Sequence, residues 1–205
     1  LTDRPHGAVG DVSSYDVDAA AGLAVQHLKA NGHRKVGFLN PRGGHALFST
    51  LKRAFLREAA EHGMNASVYE AETRARWPLE AITTQDETGP LIDQWRVEKE
   101  ALRPTALFVP ADSIAVQAYA ALRARGLRVG KDVSLASCNR EVPLIQSLEP
   151  ALTTIDIHAE ALGSNAVELL ASRIERRMRE PQARIVVQPE LVEGASVCNC
   201  LPEEQ

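Results

Sequence analysis

From Asp11 onward, short apolar segments alternate with longer ones whose apolar residues recur at helical spacing, and this rhythm constrains the fold most. The extended DVSSYD is followed by a stretch with Ala20, Leu23, Ala24, His27 and Leu28 on one face, closed by Gly32. KVGFLN reads as a buried strand, and Ala46 to His62 carries Leu47, Leu51, Ala54, Phe55 and Ala59 on one side. The pattern repeats through ASVYEA, a helical segment from Asp86 to Ala101, TALFVP, a helix lined by Ile114, Ala118, Ala121 and Leu122, and VSLASC. LTTIDI precedes a long predicted helix, His158 to Glu180, and ARIVVQPELV reads as one last strand. Strands alternating with helices predict βαβ units, hence parallel sheets covered by helices on both faces.

Composition narrows the partners. A net charge of −4 provides no electrostatic footprint for nucleic acid or an anionic membrane. No apolar run approaches the roughly 18 residues a membrane span needs. Three cysteines, two of them in a terminal CNC, do not form a disulfide framework, and no His or Cys nearby in sequence completes a zinc site. No metal or cofactor is therefore expected, and reduced thiols point to the cytoplasm. LTDRPHG lacks an initiator Met and reads like the end of a strand, so the chain is expected to be part of a longer protein.

Ligands of open α/β sheets bind beyond the strands' carboxyl ends. Asp112 follows TALFVP at such an end, where a helix begins. A helix N-cap, a ligand contact and a catalytic carboxylate are its three readings, and no partner for catalysis is visible. The chain has no G-x-S-x-G elbow, H-E-x-x-H pair or Walker loop, so an enzyme is not expected.

Four blocks carry a resemblance to a known family: AVQHLKANGHRKVGFL, KRAFLREAAEHGM, RPTALFVPADSIAVQAYAALRARGLRVGKDVSLASCN and PALTTIDIHAEALGSNAVELLASRI. Together they resemble the effector-binding core of the LacI/GalR family of bacterial transcription regulators, across about residues 1–197. The resemblance implies two Rossmann-like subdomains of the periplasmic-binding-protein type, with a small-molecule effector in the cleft between them. Residues 1–32 and 156–180 would be part of the first subdomain, 33–152 and 183–197 the second, and 198–205 a tail. The start of the first subdomain and the DNA-binding headpiece would lie outside this chain. Operator DNA would then be reached only through that missing domain. A periplasmic sugar-binding protein of a transport system shares the architecture and is the alternative.

The departures from the family pattern are informative. Leu51 stands where the family often has an Arg that contacts the ligand. Ala111 replaces the Asn of its N-D pair, while Asp112 is kept. Asn139 replaces an Asp that usually accepts two sugar hydroxyls, and Arg140 follows it. Losing such contacts costs roughly 1–3 kcal/mol each, which argues against a plain hexose and for a less hydroxylated or anionic sugar derivative. Arg4, His45, Thr83, Thr84 and Arg140 fall near predicted cleft edges and are candidate compensating contacts; residues of these types in such places are more often surface cations (Arg4, Arg140), a loop residue (His45) or helix-entry and turn residues (Thr83, Thr84). Asn139 both donates and accepts, which makes it the leading candidate contact. The family reads two-fold related half-sites as a dimer. Val116, Ala120, Leu144 and Ile145, the last two in a predicted loop after Pro143, are the residues assigned to that interface.

Overall fold

The computed structural model describes residues 10–72, 88–175 and 182–200. Five parallel strands form the centre of a six-stranded sheet: β2 (Lys35–Asn40), β3 (Asn65–Glu70), β4 (Ala106–Phe108), β5 (Ser134–Asn139) and β6 (Thr153–Asp156). Their order is β3-β2-β4-β5-β6, and β8 (Glu190–Val192) closes the edge antiparallel to β6. A separate two-stranded parallel sheet pairs β1 (Val12–Tyr15) with β7 (Arg184–Val187).

The central strands are buried on both faces, which is why they read as continuous apolar runs. Val36, Phe38, Ala106, Phe108, Ala136 and Cys138 point to one side, into a core shared with α1 (Val17–Ala30) and α2 (Ala46–Glu61). Leu39, Leu107, Val109 and Leu135 point to the other, into a core shared with α3 (Gly89–Val97) and α4 (Asp112–Ala124). The period of two along each strand thus separates two cores. Phe38, Phe55 and Phe108 pack mutually in the first, with ring centroids 5.2 to 6.0 Å apart.

Local chemistry sets the element ends. Asp16 caps α1, its Oδ1 accepting from the Ala19 N–H at 3.0 Å, and Gly32 takes φ 85° just beyond the helix. α5 (Val142–Ile145) is a single short turn, so Leu144 and Ile145 lie on a helix and not in the expected loop. α6 (Ala159–Ile174) packs beside β1 and β7 while leaving Val167, Leu170 and Ile174 largely exposed. Among the described residues no helix is long and apolar enough to cross a membrane.

Three expectations are corrected. The single last strand is two strands in two sheets; Pro189, which has no N–H to donate to a ladder, stands between them. The boundary expected at residue 32 does not follow the packing, because Ala20, Ala21, Ala24, Val25 and Leu28 of α1 are buried in the core of the large sheet. Likewise, residues 183–197 are not one unit, since β7 joins β1 whereas β8 joins β6. The expected tail at 198 is anchored through Cys200, whose N–H donates to the Asn31 carbonyl at 2.8 Å.

Candidate functional site

Parallel strands deliver their carboxyl ends to one edge, and the polar side chains converge there. β5 ends at Asn139 and β6 at Asp156, which are register partners. Past these ends the backbone enters the left-handed half of conformational space at Asn139 (φ 115°), Arg140 (φ 56°) and His158 (φ 53°). These are the non-glycine residues with positive φ among the described residues. Each such position costs on the order of 1–3 kcal/mol and persists only where the surroundings over-determine it. All three border one recess, together with Asp156, Ser164 and Asn165.

Asp156 organises that recess. Arg140 Nη1 donates to its Oδ2 at 2.8 Å, and the His158 N–H donates to its Oδ1 at 2.7 Å. Burial raises the Asp156 pKa, but the Arg140 and His158 hydrogen bonds outweigh it, so the net shift is downward and the group is a carboxylate at neutral pH. The His158 ring stands 3.7 Å from Asp156 Oδ2 and 3.9 Å from Glu190 Oε1. Asn139 Nδ2 donates to Glu141 Oε1 at 2.9 Å. The recess therefore offers an amide, a guanidinium held by a carboxylate, and an imidazole: groups suited to hydroxyls and to anionic oxygens.

Asp112 supports this edge from below. Its side chain does not cap α4: the N-cap is Ala111, and no side-chain cap bond is made there. Asp112 has no exposed surface. It accepts hydrogen bonds from the hydroxyl of Ser137 on β5, the hydroxyl of Thr154 on β6 (2.8 Å) and the Glu141 N–H (2.6 Å). Burial pushes its pKa up, against the lowering effect of those three donors. Its contacts are internal, and it braces the Asn139–Glu141 turn that carries the site.

The other sequence candidates fall elsewhere. Leu51 is fully buried in the core shared by α1, α2 and the sheet, so it does not face a cleft. Its helix instead presents Ala46, Leu47 and Thr50 to a second recess beside β1. His45 caps α2, its Nδ1 accepting from the Phe48 N–H at 3.4 Å, and its ring stacks on Phe48 at 4.0 Å. Arg4, Thr83 and Thr84 lie outside the described residues. Val116 and Ala120 border a recess with Leu148 and Pro150, while Leu144 and Ile145 are half-buried on α5. Sequence reasoning missed Asp156 and His158, although the D-x-H spacing before a helix stood in plain view in LTTIDIH.

A mostly parallel sheet covered by helices on both faces, with a small second sheet and a polar recess at its strand ends, defines a class. The chain belongs to the periplasmic-binding-protein-like domain family, whose model matches residues 25–197. Its relatives are more particular. It is similar to the HTH-type transcriptional repressor PurR of Aliivibrio fischeri (strain MJ11), 30% identical over 179 residues, covering 87% of this chain and 50% of that protein. The Ribose operon repressor of Haemophilus influenzae is 30% identical over 176 residues, covering 85% and 49% respectively. A LacI-family transcriptional regulatory protein from Corynebacterium glutamicum has a similar structure, with TM-score 0.75 at 26% identity, covering 96% of this chain and 71% of that one. The likeness to LacI/GalR regulators legible in the four sequence blocks is thus shared with transcriptional repressors, not enzymes. The chain spans about half the length of the curated relatives it matches.

Proposed function

We propose that this chain is the effector-sensing and dimerisation core of a LacI/GalR-type bacterial transcriptional regulator that works in the cytoplasm. Its effector sits in the recess bordered by Asn139, Arg140 and His158. The observation that carries this reading is the convergence of three strained, non-glycine residues on one recess at the carboxyl ends of parallel strands. Effector binding shifts the balance between two subdomain arrangements and so resets DNA-binding heads supplied by a segment outside this chain. The exposed apolar stripe Val167, Leu170 and Ile174 on α6 fits a face onto which the rest of the first subdomain packs.

The effector class follows from the side chains. Leu51 is buried and Ala111 carries no polar side chain, so neither supplies the contacts a neutral hexose uses in the family pose. Arg140, half-exposed beside Asp156, supplies charge-assisted donors for a sugar acid or sugar phosphate. Calorimetry on the full-length protein is the test. Anionic sugar derivatives should bind more tightly than glucose, galactose or ribose, and Arg140→Ala should weaken them by about 1.5–3 kcal/mol, a factor of roughly 10 or more. Micromolar binding of a neutral sugar, abolished by Asn139→Ala and indifferent to Arg140→Ala, would sink the anionic reading.

A further inference from the structure

The CNC pair has a partner that sequence proximity conceals. His33 lies in the turn between α1 and β2, some 165 residues before the cysteines along the chain, yet its ring nitrogen and the Cys198 and Cys200 sulfurs lie within 4.8 Å of one another. The earlier expectation that nothing completes a metal site counted only neighbours along the chain. We propose that His33, Cys198 and Cys200 form a binding site for a thiophilic divalent cation of the zinc class, with the fourth position left to solvent.

Four independent features support it. The first is geometry: the two sulfurs are 3.5 Å apart, against about 3.8 Å for the edge of a tetrahedron with Zn–S bonds of about 2.3 Å. The second is an orphan. His33 has no exposed surface, and its Nε2 is a buried polar atom with no hydrogen bond of proper geometry. The third is orientation. His33 Nδ1 is 2.8 Å from Thr105 Oγ1, which itself reaches the Lys35 carbonyl at 3.5 Å. If the hydroxyl donates to that carbonyl it must accept from Nδ1–H, and this tautomer leaves the Nε2 lone pair for a cation. The last is anchoring: the Cys198 N–H donates to Ser134 Oγ at 2.9 Å and the Cys200 N–H to the Asn31 carbonyl at 2.8 Å, so the sulfurs are held by backbone.

Cys198 is half-buried and Cys200 exposed, so the cation enters from the Cys200 side. Binding converts two thiols to thiolates and releases two protons per cation, with no change of oxidation state. The bound ion pins the C-terminal segment to the α1–β2 turn.

The experiment is titration of the reduced full-length protein with Zn2+ against a chromophoric chelator, repeated with Co2+ as a spectroscopic probe. The proposal expects one equivalent bound, a thiolate-to-cobalt charge-transfer band, and a higher melting temperature with Zn2+. Cys200→Ser, at an exposed position, should abolish the band and the high-affinity uptake while leaving the metal-free melting curve unchanged. Thr105→Val should weaken binding about 10-fold or more by freeing the ring. Buried Cys138→Ala should bind as the parent does. Uptake no tighter than that of the Cys198→Ser/Cys200→Ser double variant, or uptake unaffected by Cys200→Ser, would overturn the proposal.

Discussion

A carboxylate at position 112 with no exposed surface gathers two hydroxyls and one backbone N–H from three different segments. Its worth lies in what its removal would strand. Asp112→Ala leaves the buried Ser137 and Thr154 hydroxyls without this acceptor and frees the Glu141 N–H at the exposed turn, and unsatisfied buried groups cost about 1–3 kcal/mol each. The expected loss is about 3 kcal/mol or more in urea unfolding, with Asp112→Asn falling between the parent and the Ala variant. An Asp112→Ala protein as stable as the parent would remove the bracing role. Leu51 provides the opposite lesson. It occupies a family ligand position by alignment of motifs, but its side chain fills the core between α1 and α2. Restoring the family residue with Leu51→Arg buries a charge with no partner, so the protein should fail to fold stably rather than gain a sugar contact.

Between elements, the small sheet and α6 are joined by one charged cluster. Asp11, just before β1, receives Nε and Nη2 of Arg173 on α6 at 2.7 and 2.6 Å, and the Ala183 N–H ahead of β7 at 2.8 Å. The Arg173 hydrogen bonds, then the Ala183 N–H, hold the Asp11 pKa down at about 2, against the roughly 3.9 of an unfolded chain. Because the folded pKa is the lower one, this contribution is present in full above the unfolded value and is lost as pH falls through the folded value. Asp11→Asn should therefore melt lower than the parent at neutral pH but lose less stability between about pH 4 and pH 2. Parallel acid melts of parent and variant that keep a constant gap would show the cluster to be energetically idle. The divided last strand belongs to this scale as well. β7 and β8 serve different sheets on either side of Pro189, so the chain crosses from one body to the other in two residues.

For the whole molecule, net charge and surface placement set what the chain can assemble with. A chain with net charge −4 should not retard duplex DNA by itself, and salt-sensitive retardation would count against a core that depends on a separate headpiece. Self-association is proposed through the face carrying Val116, Ala120, Leu144 and Ile145. Ile145 also packs against the core beneath α4, so Leu144→Asp with Ile145→Asp tests the interface only alongside a variant that spares that core. Exposed Ala120→Glu is that variant, and it should shift sedimentation toward monomer without lowering the melting temperature. An unchanged dimer would remove this face from the interface.

The alternation of strands and helices through β4, α4 and β5, the parallel sheet with two covered faces and the likeness to LacI/GalR regulators were determined by the sequence alone. They rest on periodicity and motif spacing, which are local properties of a chain. Asn139 and Arg140 were site candidates in the sequence through the family resemblance, which sets Asn139 at a ligand position with Arg140 after it. Other assignments needed the folded chain. Whether Leu51 faces a cleft or a core depends on how α2 rotates against α1, and several faces of a helix can look apolar when two helices flank it. That Asp112 braces rather than caps depends on strands β5 and β6 arriving beside it from 25 and 42 residues away. Asp156 and His158 join the candidate recess only because β6 registers against β5. His33 met Cys198 and Cys200 only because the last segment runs back across the sheet to the α1–β2 turn, bringing together groups from opposite ends of the chain.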